Sequence, residues 1–373
     1  NDIPGQSYYF FCNRGCFSYR NDYYIHNNPL RVASFTYHQW ASADISQVNH
    51  HYNQLKNIMQ VLKFGGSSVA NAENINKVVS IVQQRLQKDK TVVVVSALGG
   101  VTDLLLSAAR LASEGDETYN EQLAVIEKRH LAAVQELIPL AKQSSLLSAV
   151  KKQCNEIEDI CNGIFLLREL SPLTKDRMVS YGELLSSQII SAKLSAEGTE
   201  NVWKDSREMI FTDLNYGNAK VDFEKTNAHI TTFFSRNDIP LTMLPGFIAS
   251  GTNGTTTTLG RGGSDYTAAI VAAALNADIL EIWTDVSGIM TADPGNVSNA
   301  RIIGHISYQE AMELSHFGAK VIYPPTIQPV LKRNIPVRVK NTFAPADEGT
   351  LIDNTATQNG NIIRGITSIN NIA

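Results

Sequence analysis

Apolar residues at Ile75, Val78, Val79, Val82 and Leu86 recur every three or four positions, which places them on one face of a helix. Four consecutive valines follow at 92–95, the mark of a short strand buried on both sides. The same alternation continues down the chain. It predicts helices over 101–111, 121–137, 146–170, 182–196, 223–234, 264–275 and 308–317, and strands over 61–64, 91–96, 201–204, 241–249, 279–284 and 336–340. Repeated strand-then-helix order implies a mostly parallel sheet between helical layers, an α/β fold. The Gly/Thr-rich stretch 250–258 reads as a hairpin turning at Asn253-Gly254 and placed to cover a site. Residues 344–373 read as a linker with one further strand.

The first 58 residues lack either period. They hold seven of the thirteen tyrosines and four of the eight histidines, with no glutamate, and Met59 is the first methionine. The expectation is that an ordered domain, and translation itself, begins at Met59, leaving 1–58 as upstream or artefactual sequence. A transit peptide is the rival, disfavoured by the scarcity of arginine and the abundance of aromatics. Cys12 and Cys16 match no standard zinc spacing.

Composition narrows the class. The 373 residues are 43% hydrophobic and 18% charged with a net charge of -4, values of an ordinary globular chain. Nothing points to a nucleic-acid partner, no apolar run reaches membrane-spanning length, and four cysteines make no disulfide scaffold. A soluble, cytoplasmic protein is expected.

Four loops carry candidate chemistry. Lys63-Phe64-Gly65-Gly66-Ser67-Ser68 joins a strand to a helix: its amides suit an anion, and Lys63 offers a point charge that, on this reading, meets a countercharge only with a bound phosphate. A plain turn remains the alternative, and no Walker A pattern is present. Gly260-Arg261-Gly262-Gly263-Ser264-Asp265 opens a helix but is no dinucleotide fingerprint, since Asp265 holds the third glycine position. Its guanidinium and carboxylate suit a zwitterion, against the alternative of a helix capped by Ser264. Trp283-Thr284-Asp285-Val286-Ser287-Gly288 ends a strand where nucleotides or metals bind in doubly wound sheets, or is a simple turn. Lys320, in Phe317-Gly318-Ala319-Lys320-Val321, reads alone as a surface lysine, and Glu183 and Thr102 as ordinary helix-start residues.

Together, in the order KFGGSSV, SYGE, TTTLGRGGSDYTAA, EIWTDVSGI and EAMELSHFGAKV, these segments resemble the aspartate kinase (aspartokinase) family from Met59 onward. The stretches SYQEAMELSHFGAKV and RGITSINNIA resemble the kinase part of bifunctional aspartokinase–homoserine dehydrogenase. The resemblance implies the amino-acid-kinase fold, a three-layer α/β/α sandwich on a mainly parallel eight-stranded sheet. It also implies ATP and Mg²⁺ as cofactors and L-aspartate as the acceptor of the γ-phosphoryl group, an early step towards lysine, threonine, methionine and isoleucine. On that basis Lys63, Phe64, Gly65, Gly66, Thr284, Asp285, Met290, Lys320 and Val321 line the nucleotide, with Lys63, Asp285 and Lys320 catalytic. Thr102, Glu183, Arg261, Gly262, Gly263, Ser264 and Asp265 form the aspartate pocket; metal ligands are not assigned. The implied domains are an extension over 1–58, a kinase over 59–345, and over 346–373 a linker with the truncated start of a regulatory ACT region. A homo-oligomer is implied for the full-length protein.

Two positions depart from the family. Met290 stands where tyrosine is common, and Gly295 where arginine follows Asp-Pro, both on the nucleotide side. They keep open a second reading, a catalytically weak kinase-like module with an interaction role. Glutamate 5-kinase shares the fold but not the RGGSDYTAA and FGAKV set, and an NAD oxidoreductase lacks its fingerprint.

Overall fold

The computed structural model describes strands at 8–12 and 15–19 and residues 59–295, 297–316, 322–355 and 365. The chain divides into two compact units, Asn1–Lys56 and Asn57–Ala373. In the first, β1 (Tyr8–Cys12) and β2 (Gly15–Tyr19) form an antiparallel hairpin. The sequence shows no alternation there; aromatic β-propensity, not a polar/apolar period, is what marks these strands.

The second unit is built on eight strands: β3 (Met59–Phe64), β4 (Lys90–Val95), β5 (Val202–Trp203), β7 (Leu241–Pro245), β10 (Ile279–Thr284), β11 (His305–Ser307), β12 (Val337–Asn341) and β13 (Thr350–Asp353). Their order is β11-β13-β12-β10-β3-β4-β7-β5. Every pairing is parallel except β12 with β13, so the two strands at one edge run against the rest. The sheet thus extends past residue 345, because β13 is one of its members.

Helices cover both faces. Alternation along β3 and β4 sends Leu62, Phe64, Val93 and Val95 into a core shared with α1 (Ala72–Leu86), α2 (Val101–Glu114), α3 (Tyr119–Leu137), α4 (Gln143–Leu167) and α5 (Pro172–Ala196). Val61, Val92, Val94, Leu280 and Ile282 face the opposite core, with α6 (Phe223–Arg236), α7 (Gly263–Leu275), α8 (Tyr308–His316) and α9 (Gln328–Arg333). Burial on both faces explains why these strands read as unbroken apolar runs. The sandwich on a mainly parallel eight-stranded sheet is as expected.

Two expectations need correction. The single strand over 241–249 is two strands in two sheets. Gly246 still donates to the Val95 carbonyl at 2.9 Å, then Phe247 turns at φ +69°. The chain re-emerges as β8 (Ile248–Gly251), which pairs with β6 (Phe211–Thr212) and, as a hairpin, with β9 (Thr256–Thr258). Hydrophobicity continues across the kink, so periodicity cannot locate it. The helix expected over 182–196 starts ten residues earlier, with Pro172 in its first turn and Ser171 accepting from the Thr174 amide at 3.1 Å. It is buried nearly all round, which erases the amphipathic signal. Among the described residues no helix is long and apolar enough to cross a membrane.

His130 on α3 is fully buried. Its Nδ1 lies 2.7 Å from the Ile126 carbonyl, which only accepts, so Nδ1 carries the proton and Nε2 is left without a partner. Burial pushes the imidazole down to about 4. The unfolded chain takes up this proton first as pH falls, so stability drops between the ordinary value of 6.5 and about 4, by roughly 3 kcal/mol from this group. In urea melts, His130→Leu should remove most of that acid-side loss; an unchanged slope would contradict it.

Candidate active site

The chain runs from β3 to β4 and β7 on one side and returns to β10 on the other, so strand order reverses between β3 and β10. Ligands of open α/β sheets bind outside the carboxyl ends at such a reversal. Here the two ends are stitched together by the Gly65 amide donating to the Trp283 carbonyl at 3.1 Å.

A cleft of about 330 Å³ lies at this edge, lined by Lys63, Gly66, Thr102, Glu183, Gly262, Gly263, Ser264 and Asp265, with Ser96, Gly99, Gly100, Asp103 and Phe247. Eight of the sequence-derived residues therefore meet in one place. Strand alternation points Lys63 to the α7 side, where its Nζ lies 2.7 Å from Asp265 Oδ1. The contact is an ion pair without hydrogen-bond alignment, since Oδ1 has no hydrogen-bond donor. Lys63 is thus already paired in the free protein, against the expectation that its countercharge comes only with a phosphate.

Two helices aim their amino ends at the cleft. Both α2, after Gly100, and α7, after Gly262, begin at a left-handed glycine and carry no side-chain cap. Ser264 sits inside the first turn of α7, so the capping alternative for it is not realised. Uncapped amides and the aligned peptide dipoles favour an anion at each end.

Glu183 forms the floor. It is buried on α5, and one oxygen, Oε2, has no partner. Gly182 permits this depth, because a Cβ there would stand 2.8 Å from the Ala97 Cβ. Burial raises the Glu183 carboxyl to about 8, opposed by the Ala97 amide and the nearby Lys63 charge.

The remaining sequence-derived residues do not line the cleft or lie outside the described set. Phe64 stacks on Trp283 with centroids 5.9 Å apart, and Thr284 donates to Asp285 Oδ1 at 3.1 Å. Met290 bridges Ile302, and the Gly295 amide bonds Asp293. Arg261 is exposed, its guanidinium 5.5 Å from the Tyr323 ring centroid, and does not line the cleft. Lys320 and Val321 lie outside the described residues. The hairpin tip, 254–256, lines a separate cavity of about 690 Å³ between α4 and α5. Phe247 was missed by sequence reasoning; Pro245-Gly246 was the available sign that the strand ends there.

The class these features define is a doubly wound α/β sandwich with a cleft at the carboxyl edge of its sheet, where the Lys63–Asp265 pair sits beside two uncapped helix ends suited to an anion. Residues 59–341 match the model of the amino acid kinase family, and the chain belongs to that family. It is 34% identical over 319 residues to the bifunctional aspartokinase/homoserine dehydrogenase of Buchnera aphidicola, covering 84% of this chain and 39% of that protein. Aspartokinase 1, chloroplastic, of Arabidopsis thaliana is 33% identical over 85% of this chain and 56% of its own length. The crystal structure of E. coli aspartokinase III in complex with aspartate and ADP superposes with a TM-score of 0.75 at 35% identity, over 82% of this chain and 67% of that one. The chain therefore spans well under two thirds of these curated relatives.

The Glu183 carboxyl gives a pH test of the free protein. The unfolded chain loses this proton near 4.5 and the folded chain near 8, so its contribution to stability declines as pH rises through that window. Glu183→Gln should flatten the decline in denaturant titrations between pH 5 and 8. An identical slope in both proteins would refute the assignment.

Proposed function

We propose that this domain transfers the γ-phosphoryl group of ATP to the β-carboxylate of L-aspartate, giving 4-phospho-L-aspartate and ADP. The observation that carries the reading is the meeting of Lys63, Asp265, Glu183 and two uncapped helix ends in one cleft at the sheet reversal. The likeness to aspartokinases supports the choice of acceptor.

A carboxylate is already ionised at neutral pH, so the acceptor needs no general base. The residues have to align two anions and offset their repulsion. Lys63, held by Asp265 and aimed from the end of β3, places an ammonium between the reactants. The amides after Gly65 and Gly66 and the start of α2 offer neutral donors to phosphate oxygens. Glu183 Oε2 lacks a partner, and an acceptor's ammonium would supply one and draw the carboxyl into its ionised form. Ser264 and Thr102 complete the acceptor side, which Arg261 joins by turning in from the Tyr323 ring; Thr284, Asp285, Met290 and the backbone of the buried Phe64 form the nucleotide side, to which the resemblance adds Lys320 and Val321. The cleft's donor set fits a polyphosphate. No group of three or more His, Cys, Asp or Glu among the described residues would hold a cation by itself, so Mg²⁺ fits as an ion carried in on the phosphates. Bound there, Mg²⁺ supplies further neutralisation of phosphate charge. The reading extends to a kinase domain that starts at residue 59 and, because β13 belongs to its sheet, runs past 345 through Asp353, and to a homo-oligomeric, cytoplasmic full-length protein.

Purified protein should phosphorylate aspartate in preference to glutamate or a nucleoside monophosphate; preference for either of those would overturn the reading. Lys63→Ala should lower kcat by at least about a hundredfold and, by leaving Asp265 buried and unpaired, cost about 3 kcal/mol of stability. The double variant Lys63→Ala/Asp265→Asn should recover the stability and none of the rate; recovery of rate would remove Lys63 from the chemistry.

Arg261→Lys keeps the charge but loses the two-pronged fork. KM for aspartate should rise roughly several-fold with KM for ATP unchanged. The opposite pattern in steady-state kinetics would move Arg261 to the nucleotide side.

A further inference from the structure

We propose that Asp176, outside the cleft, is a positioning residue that fixes the substrate loop 259–265 by clamping the strand that feeds it; this rests on the kinase reading above.

Asp176 lies on α5 and is 2% exposed. Its Oδ2 accepts from the Gly217 amide at 2.9 Å and the Thr258 amide at 2.8 Å, and its Oδ1 accepts from the Thr258 hydroxyl at 2.9 Å. Two backbone amides and one hydroxyl thus occupy both carboxyl oxygens, and no basic side chain among the described residues pairs with Asp176. Burying a carboxylate on neutral donors alone is costly, and a plain packing contact would not require it.

What the clamp holds is specific. Thr258 ends β9, and the next residue, Leu259, donates to the Phe247 carbonyl at 2.9 Å, so the strand also carries a cleft wall. On the other arm, Gly217 and Asn218 press on Gly260: a Cβ there would lie 2.7 Å from Asn218 Oδ1 and 3.1 Å from the Gly217 oxygen. Asp176 thereby sets both the strand entering the loop and the surface against which the loop turns. Asp176 and Glu183 are seven residues apart on one helix, two turns or about 10.5 Å, and share a face. Helix α5 is therefore a rigid spacer between the cleft floor and the loop that delivers Asp265 to Lys63.

The rest of β9 and the residue before it, Thr255, are fixed in the same way. Thr255 bonds Tyr216 at 3.0 Å, Thr256 accepts from Arg207 at 3.1 Å, and Thr257 bonds Thr212 at 2.7 Å. Four successive threonines thus tie the strand to four different partners. Such side-chain bonds limit sliding and twisting of a short strand that has only three backbone pairs to β8.

The test uses the full chain and two readouts, steady-state kinetics and amide hydrogen exchange. Asp176→Ala should raise KM for aspartate about tenfold or more and leave KM for ATP within about twofold. Exchange across 256–266 should accelerate while β3 and β4 stay as protected as in the parent. Asp176→Asn keeps an acceptor for the two amides and can donate to the Thr258 hydroxyl, so it should stay within about threefold of the parent. If Asp176→Ala does not fold, Thr258→Val removes one bond alone and should show a smaller rise in KM for aspartate with the same local loosening. A lower melting midpoint with unchanged KM and unchanged exchange across 256–266 would show a merely structural carboxylate and overturn the proposal. If the parent phosphorylates no aspartate, the kinase reading falls, and the exchange measurement still decides the clamp.

Discussion

The cleft depends on how closely backbone can approach backbone at the carboxyl ends of β3 and β4. Gly99 lies against the loop after β3: a Cβ on it would stand 3.0 Å from the Gly66 oxygen. The same tightness recurs where α5 passes Ala97 at Gly182. A side chain at either place would push a wall outward, so the cavity is lined by peptide groups and helix ends instead of by side-chain bulk. That makes it a site for anions before any charged residue is considered. Lys63 and Asp265 then act within a field that the backbone has already set.

Charge elsewhere in the molecule is handled differently. Glu281 on β10 is buried, yet it pairs with Arg85 at 2.7 Å and accepts from the Trp283 indole at 3.0 Å. Lys340 and Arg85 lie 5.3 and 5.8 Å from the Trp283 ring. Burial raises the Glu281 carboxyl and lowers the Lys340 ammonium, but each polar atom has company. In the cleft, Glu183 Oε2 has none. An unsatisfied buried acceptor is costly; His130 Nε2 is one away from the cleft, while Glu183 belongs to the cleft lining, where a ligand can complete its Oε2. The contrast between the two clusters separates a charge kept for the fold from one kept for a ligand.

How far the sequence was legible follows from the same physics. The strand valines 92–95 and the helix at 75–86 were plain, because burial on two faces and on one face leave different periods. The glycine loops, Lys63 and Asp265 were found by type and spacing and Glu183 through the family resemblance alone, and they do meet. The Phe247 kink was not legible, since both its flanks are apolar, whereas the start of α5 carried a readable signal in Ser171-Pro172 that the search for an apolar period passed over. Nor was the Lys63–Asp265 pair, which joins residues about two hundred apart through strand register. Asp176 was invisible for a similar reason: its meaning lies in Gly217 and Thr258, which only the folded chain brings to it.

This arrangement has a consequence for how stability and chemistry are divided. The two apolar cores on the sheet faces contain the strand valines and the helix stripes, and their packing is what resists unfolding. Lys63, Glu183 and Asp265 in the cleft and Asp176 on the helix beside it are buried or nearly so, tied to backbone amides or to one another. Each is held by a partner that also belongs to the cleft or its feeding strand. Removing a partner therefore strands a charge as well as losing a contact, and damage propagates along hydrogen bonds before it reaches a core. The edge can consequently be organised for binding an anion while the cores, which share few polar links with it, keep the sandwich intact.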